Sequence, residues 1–281
     1  MLSLLLLAAS LTFTDANARA AYDYAGELIE KHTPRDAGTV QGKLAANWIL
    51  DKSAHLGMDS RRYQFKVKTP QGERYLVNVV AVFEIDRNAP WVVVVSHFDT
   101  KQWTWCPGAN DGASTTGLLL EMGNVLSHWQ GEEKPSANVM FVWTDGEEAM
   151  GQHYTDEDGL WGAKDAVRFI KRKGYKVKAV VNIDMLGDKD LQIAMPKNCD
   201  ETMMKLVEKA SKRCGVPVKR MTEIVRDDHA VFHEAGYRTV NLIDFEFPAH
   251  HTKNDTMDAI SVESLEKSGK LLTELISILL I

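Results

Sequence analysis

Four polar clusters in this chain carry the residue types that hold metal ions and move protons: His97-Phe98-Asp99, Asp145-Gly146-Glu147-Glu148, Asp184, and His250-His251. A fifth candidate, Asp111, sits in Gly108-Ala109-Asn110-Asp111-Gly112-Ala113-Ser114, a run of small residues through which a backbone can approach an ion closely. Imidazoles and carboxylates together make the nitrogen and oxygen donor set that suits zinc, with a position left open for water or substrate. The adjacent Glu147 and Glu148 suit a division of labour. Neighbouring side chains at a strand end point in different directions, so Glu148 can ligate while Glu147 takes a proton from attacking water. Each cluster also has a plainer reading: His97 as a hydrogen-bonded core histidine, Asp184 as a turn former or helix cap, the glutamates as a solvated acidic pair. Their joint placement favours chemistry.

That placement is set by the apolar segments before them. Residues 91–96 form a Val-rich run typical of a strand buried on both faces, and His97 follows at once. Residues 138–144 lead directly into Asp145, and residues 177–184 end on Asp184. Open α/β sheets bind ligands outside the carboxyl ends of their strands, which is where these residues fall. Helical spacing marks 19–31, 40–56, 113–126, 163–173, 201–214, 230–235 and a last helix from Ser261, and 239–243 reads as a further strand. Residues 63–68 and 75–83 flank the turn sequence Thr69-Pro70-Gln71-Gly72 and predict a hairpin. The alternation predicts a three-layer α/β/α fold around a mostly parallel mixed sheet, with the antiparallel hairpin at one edge.

The 281 residues are 44% hydrophobic and 26% charged, ordinary globular composition with no linker or repeat, so residues 19–281 read as a single catalytic domain. A formal net charge of −6 without a basic stripe excludes a nucleic-acid partner. Residues 1–18 read as a signal peptide cut after Ala18, the end of a small-x-small triplet, which implies a secreted or periplasmic protein; an apolar N-terminal strand is the alternative. No apolar run reaches the roughly 20 residues that a membrane span needs. Cys106, Cys199 and Cys214 show no Cys-x-x-Cys spacing, and a Cys199–Cys214 disulfide and buried free thiols are both open. Oligomeric state is not legible.

Taken with Ser96, Asn182-Ile183, Asp227-Asp228-His229 and His251-Thr252-x-x-Asp255-Thr256, these clusters resemble, in order, the motifs of the co-catalytic zinc aminopeptidases and their relatives the glutaminyl cyclases, metallopeptidases of clan MH. The resemblance covers residues 91 to 281 and implies a zinc-exopeptidase-like fold. It implies one zinc at His97, Asp111 and Asp184 and another at Asp111, Glu148 and His251, with either or both occupied. It further implies Glu147 as general base, Asp99 as the acceptor that orients the His97 ring, and a peptide with a free N-terminus as substrate. Asp228, His250, Trp103 and Tyr154 are candidates to line the substrate pocket. Within the family, Asn110-Asp111-Gly112 has the aminopeptidase spelling, whereas His97-Phe-Asp-Thr-Lys101 and Phe245-Glu-Phe-Pro248 look like the cyclases. The aminopeptidase is the preferred reading, the cyclase its alternative, and a non-catalytic scaffold a third that the complete ligand set disfavours.

Overall fold

The computed structural model describes residues 11–129, 135–152, 154–155 and 157–281. Eight strands form one sheet in the order β1-β2-β4-β3-β5-β8-β6-β7: β1 (Asp59–Thr69), β2 (Gly72–Phe83), β3 (Trp91–His97), β4 (Asn138–Thr144), β5 (Val177–Asp184), β6 (Ala194–Met195), β7 (Lys219–Arg220) and β8 (Thr239–Ile243). The β1–β2 hairpin is antiparallel and β2 joins β4 antiparallel. The next four strands, β4, β3, β5 and β8, run parallel. Their carboxyl ends therefore share one edge of the sheet.

Strand periodicity of two sends alternate side chains to opposite faces, and both faces are covered. On one side Val92, Val94, Phe141, Val181 and Ile183 enter the large core. There they meet α1 (Asp15–His32), α2 (Val40–His55), α3 (Thr115–Ser127), α5 (Glu201–Cys214) and α7 (Val262–Leu280). On the other side Val93, Val95, Met140, Val142 and Val180 pack against α4 (Trp161–Lys173) and against Phe232 of α6 (Asp228–Glu234). The layers are those the alternation predicts.

The differences are local. The short strands β6 and β7 extend the sheet beyond β8, with β6 antiparallel to it; two residues give no readable period. α1 begins at Asp15, earlier than residue 19, because Thr14 and Asn17 form a reciprocal cap. The leader expected over 1–18 falls outside the described residues up to residue 10. Beyond that, Phe13 is buried at 2% exposure and Ala18, in the first turn of α1, is fully buried. All three cysteines are free thiols, so the disulfide is not the form seen. Among the described residues no helix is long and apolar enough to cross a membrane.

α1 and α3 approach so closely that a Cβ on Gly117 would stand 2.2 Å from the Ala21 carbonyl oxygen. Backbone cannot yield there as a flexible side chain would. Gly117→Ala is expected to lower the unfolding free energy by about 1–3 kcal/mol, measured by urea denaturation; unchanged stability would show that the helices separate freely.

Candidate metal centre and active-site cleft

Because β4, β3, β5 and β8 are parallel neighbours, the turns at their carboxyl ends converge. His97 is the last residue of β3, Asp184 the last of β5, Glu147 and Glu148 lie just past β4, and His250 and His251 follow β8. Asp111 is supplied by the irregular turn Ala109–Ser114, in which Gly112 has φ 95°. A Cβ there would sit 3.2 Å from both the Asp99 carbonyl oxygen and His97 Cε1, so glycine lets this turn lie against the His97 ring.

Side chains buried beneath the cleft fix these turns. The Asp255 carboxylate accepts the backbone N–H of Asn110 (2.7 Å) and of Asp111 (3.1 Å). Asn110 Oδ1 accepts the N–H of Gly187 at 2.7 Å, tying the Asp111 turn to the segment after Asp184. The Asp99 carboxylate accepts the N–H of Glu147 (3.1 Å) and of Glu148 (3.2 Å). Arg35, fully buried, donates to the carbonyls of Phe98 (2.5 Å), Pro107 (2.7 Å) and Gly108 (2.6 Å). It thereby joins the two loops that carry His97 and Asp111. Nothing in the sequence near Arg35 signals this, since its partners lie more than sixty residues away.

The donor atoms gather around Asp111. His97 Nε2 lies 3.1 Å from Asp111 Oδ1 and 3.2 Å from Asp184 Oδ1, while His251 Nε2 lies 3.3 Å from Asp111 Oδ2 and 2.6 Å from Glu148 Oε1. Two triads, His97-Asp111-Asp184 and Asp111-His250-His251, each bring one donor atom per residue within 4.8 Å of the others. Asp111 Oδ2 and Glu148 Oε2 are buried and accept no hydrogen bond from any described residue. Buried carboxylate oxygens without donors are costly unless a cation serves them, and the mixed imidazole and carboxylate set fits zinc.

Burial opposes charge on His97, but the surrounding carboxylates of Asp111, Asp184 and Asp99 raise its pKa well above the usual value. Burial likewise opposes charge on His251, yet Asp111 and Glu148 hold its pKa at about 10. Asp111 is buried too, and its two imidazole partners, His251 and His97, keep it well below the usual carboxylate range. Burial, reinforced by the charge of Asp111, pushes Glu148 up to about 7.

Glu147 lines the same cleft as the ligands. The Tyr154 hydroxyl, 2.7 Å from both of its oxygens, caps it, and burial pushes the Glu147 pKa well up. Glu147, Tyr154, Asp184, Asp227, Phe245, His250 and His251 line a cleft of about 340 Å³. Lys101, buried beside the cleft, donates to the Ala149 carbonyl at 2.7 Å with its ammonium 3.7 Å from Glu148.

Three placements depart from the expected pocket. Trp103 stands 80% exposed on a left-handed backbone (φ 69°) that throws the ring outward, and it does not line the cleft. Asp228 accepts the Thr144 hydroxyl at 2.5 Å behind the cleft, and its neighbour Asp227, the residue that caps α6, lines it instead. Asp99 faces His97 Nδ1 at 3.7 Å, beyond hydrogen-bond length, and spends its oxygens on the glutamate backbone. His153 lies outside the described residues.

The family model described as Peptidase family M28 matches residues 78–276. Aminopeptidase YwaD of Bacillus subtilis is 29% identical over 194 residues, 65% of this chain and 39% of that protein. A probable leucine aminopeptidase 1 of Trichophyton verrucosum is 28% identical over 82% of this chain and 66% of its own length; the chain thus spans less than two thirds of these relatives. Among solved structures, a glutaminyl cyclase from an Acidobacteriales bacterium superposes with TM-score 0.85 at 29% identity, covering 96% of both chains.

Metal uptake must displace the protons that His97 and His251 hold. Affinity is therefore expected to rise with pH through the neutral range and to level off only near 10, the pKa of His251. Calorimetry in buffers of different ionisation enthalpy should register the released protons; pH-independent uptake without proton release would contradict this assignment.

Proposed function

The chain belongs to peptidase family M28, and from that premise we propose that it is a zinc-dependent aminopeptidase that removes N-terminal residues from peptides by hydrolysis. The observation that carries this reading is the pair of donor groups sharing Asp111, with His97 and Asp184 on one side and Glu148 and His251 on the other, a donor set for two ions. Zinc held by His97, Asp111, Asp184, Glu148 and His251 would supply a Lewis acid for the scissile carbonyl and for the negative charge that develops on its oxygen.

The chain's own residues supply the rest. Glu147 Oε accepts the proton of the attacking water and returns it to the departing amine nitrogen, and Tyr154 holds that carboxylate in place. The raised Glu147 pKa suits the second half of this cycle, in which it must act as an acid. Asp111, Glu147, Glu148, Asp184 and Asp227 make the cleft strongly acidic, and an acidic cleft favours the cationic free N-terminus of a peptide.

A second reading, cyclisation of N-terminal glutamine with loss of ammonia, is favoured by one observation. The glutaminyl cyclase structure superposes with TM-score 0.85 at 29% identity. In that reaction the substrate's α-amine attacks its own side-chain amide, and Glu147 carries the proton from amine to leaving nitrogen.

Export of the protein is part of the proposal. Leu11, Phe13 and Thr14 are built into the fold, which supports processing ahead of residue 11 rather than after Ala18, and sequencing the N-terminus of secreted protein tests it.

Glu147→Gln is expected to lower kcat by about a hundredfold or more while retaining metal. Retained turnover in that variant would remove Glu147 from the mechanism. Mass spectrometry of mixed short peptides incubated with zinc-loaded protein separates the reactions: loss of whole N-terminal residues supports the aminopeptidase, and ammonia loss confined to Gln-initiated peptides overturns it in favour of the cyclase.

A further inference from the structure

We infer that His250 is an additional protein ligand at the metal site of Asp111, Glu148 and His251. This rests on the metal-binding reading of that site and adds a donor the family motifs do not include.

Three independent features of the structure converge on it. His250 Nε2 lies 3.6 Å from Asp111 Oδ2, the same oxygen that His251 Nε2 approaches at 3.3 Å. That oxygen accepts no hydrogen bond from any described residue, so two imidazole nitrogens are aimed at a carboxylate oxygen whose own lone pairs are unclaimed. Nitrogen and oxygen atoms crowded in this way are the arrangement a cation completes when it takes the place of the imidazole protons.

The backbone makes the same point. Consecutive residues in ordinary helical or extended conformations send their side chains apart. His251 instead adopts a left-handed conformation, φ 55°, uncommon and strained for a residue with a Cβ. The consequence is that the His250 and His251 rings lie 3.8 Å apart at 39°, both turned toward Asp111. Strain of this kind is retained where the surroundings hold it. A single ligating histidine would not need its predecessor to share its direction.

With His250 included, the site offers two imidazole nitrogens and two carboxylates, a set typical of zinc. Catalytic zinc sites keep one position open, so His250 either shares an expanded coordination sphere or yields its place when substrate arrives. In both cases it contributes to holding the resting ion.

The test uses the full chain, stripped by chelator and reloaded with zinc or with cobalt. His250 is one-third exposed, so His250→Ala and His250→Phe leave the core closed, and thermal unfolding of the stripped proteins checks this. Zinc affinity, by competition with a chromophoric chelator, is expected to fall about tenfold or more in both variants, and the visible absorption of the cobalt-loaded protein is expected to shift. Affinity within twofold of wild type and an unchanged cobalt spectrum would overturn the proposal, and a raised KM alongside them would make His250 a substrate contact. Wild-type protein that takes up no zinc or cobalt would overturn the metal reading itself, an outcome distinct from any difference between variants.

Discussion

The structure is organised around an excess of buried negative charge. Asp99, Asp111, Asp145, Glu147, Glu148, Asp184, Asp227, Asp228 and Asp255 are all buried, and the permanent cations buried with them are Arg35 and Lys101. Removing a carboxylate from water costs several kcal/mol unless partners replace its hydration. Burial first, and then the charge of a neighbour, raises the pKa of Asp145 beside Asp99 and of Asp228 beside Asp227. Such a cluster survives by sorting its members. Asp99 and Asp255 are satisfied by backbone N–H groups and work as clamps, and Asp145 Oδ2 accepts the N–H of Val77. Asp111, Glu148 and Asp184 retain oxygens facing imidazoles, where a cation is the remaining way to balance the charge.

The topology makes that concentration possible. Four parallel strands deliver their carboxyl ends to one edge, and the valine-rich strands are buried on both faces, so the site rests on rigid elements rather than on loops alone. Glycine admits the Asp111 turn against His97. Positive-φ residues stand at or beside ligands on the other strands, with Met185 after Asp184 and His251 itself. The local irregularities thus gather where the regular sheet stops and the chemistry begins.

Much of this is legible in the chain. Valine runs ending in His97 and Asp184 identify doubly buried strands and place polar residues at their ends, and the order of the strands and helices carries the layer arrangement. What escapes has physical causes. Arg35 works through carbonyl oxygens, which every residue possesses, so its partners leave no mark in the sequence. Asp227 and Asp228 are adjacent and alike, and only the cap at the start of α6 decides which faces the cleft. Trp103 is apolar but carried on left-handed backbone, so hydrophobicity points inward where geometry points out. The two-residue strands β6 and β7 are too short to show a period.

The central claim is that Asp111 joins two ligand triads into one metal centre. The most direct measurement is the metal content of wild-type and Asp111→Asn protein after equilibration with zinc and removal of excess, read by elemental mass spectrometry alongside circular dichroism to confirm folding. The account predicts that folded wild type retains zinc and that the folded variant loses it from both triads together, because the shared carboxylate no longer bridges them. Zinc content equal in the two proteins would contradict it, and the cluster would then be a network of charged residues that hold one another.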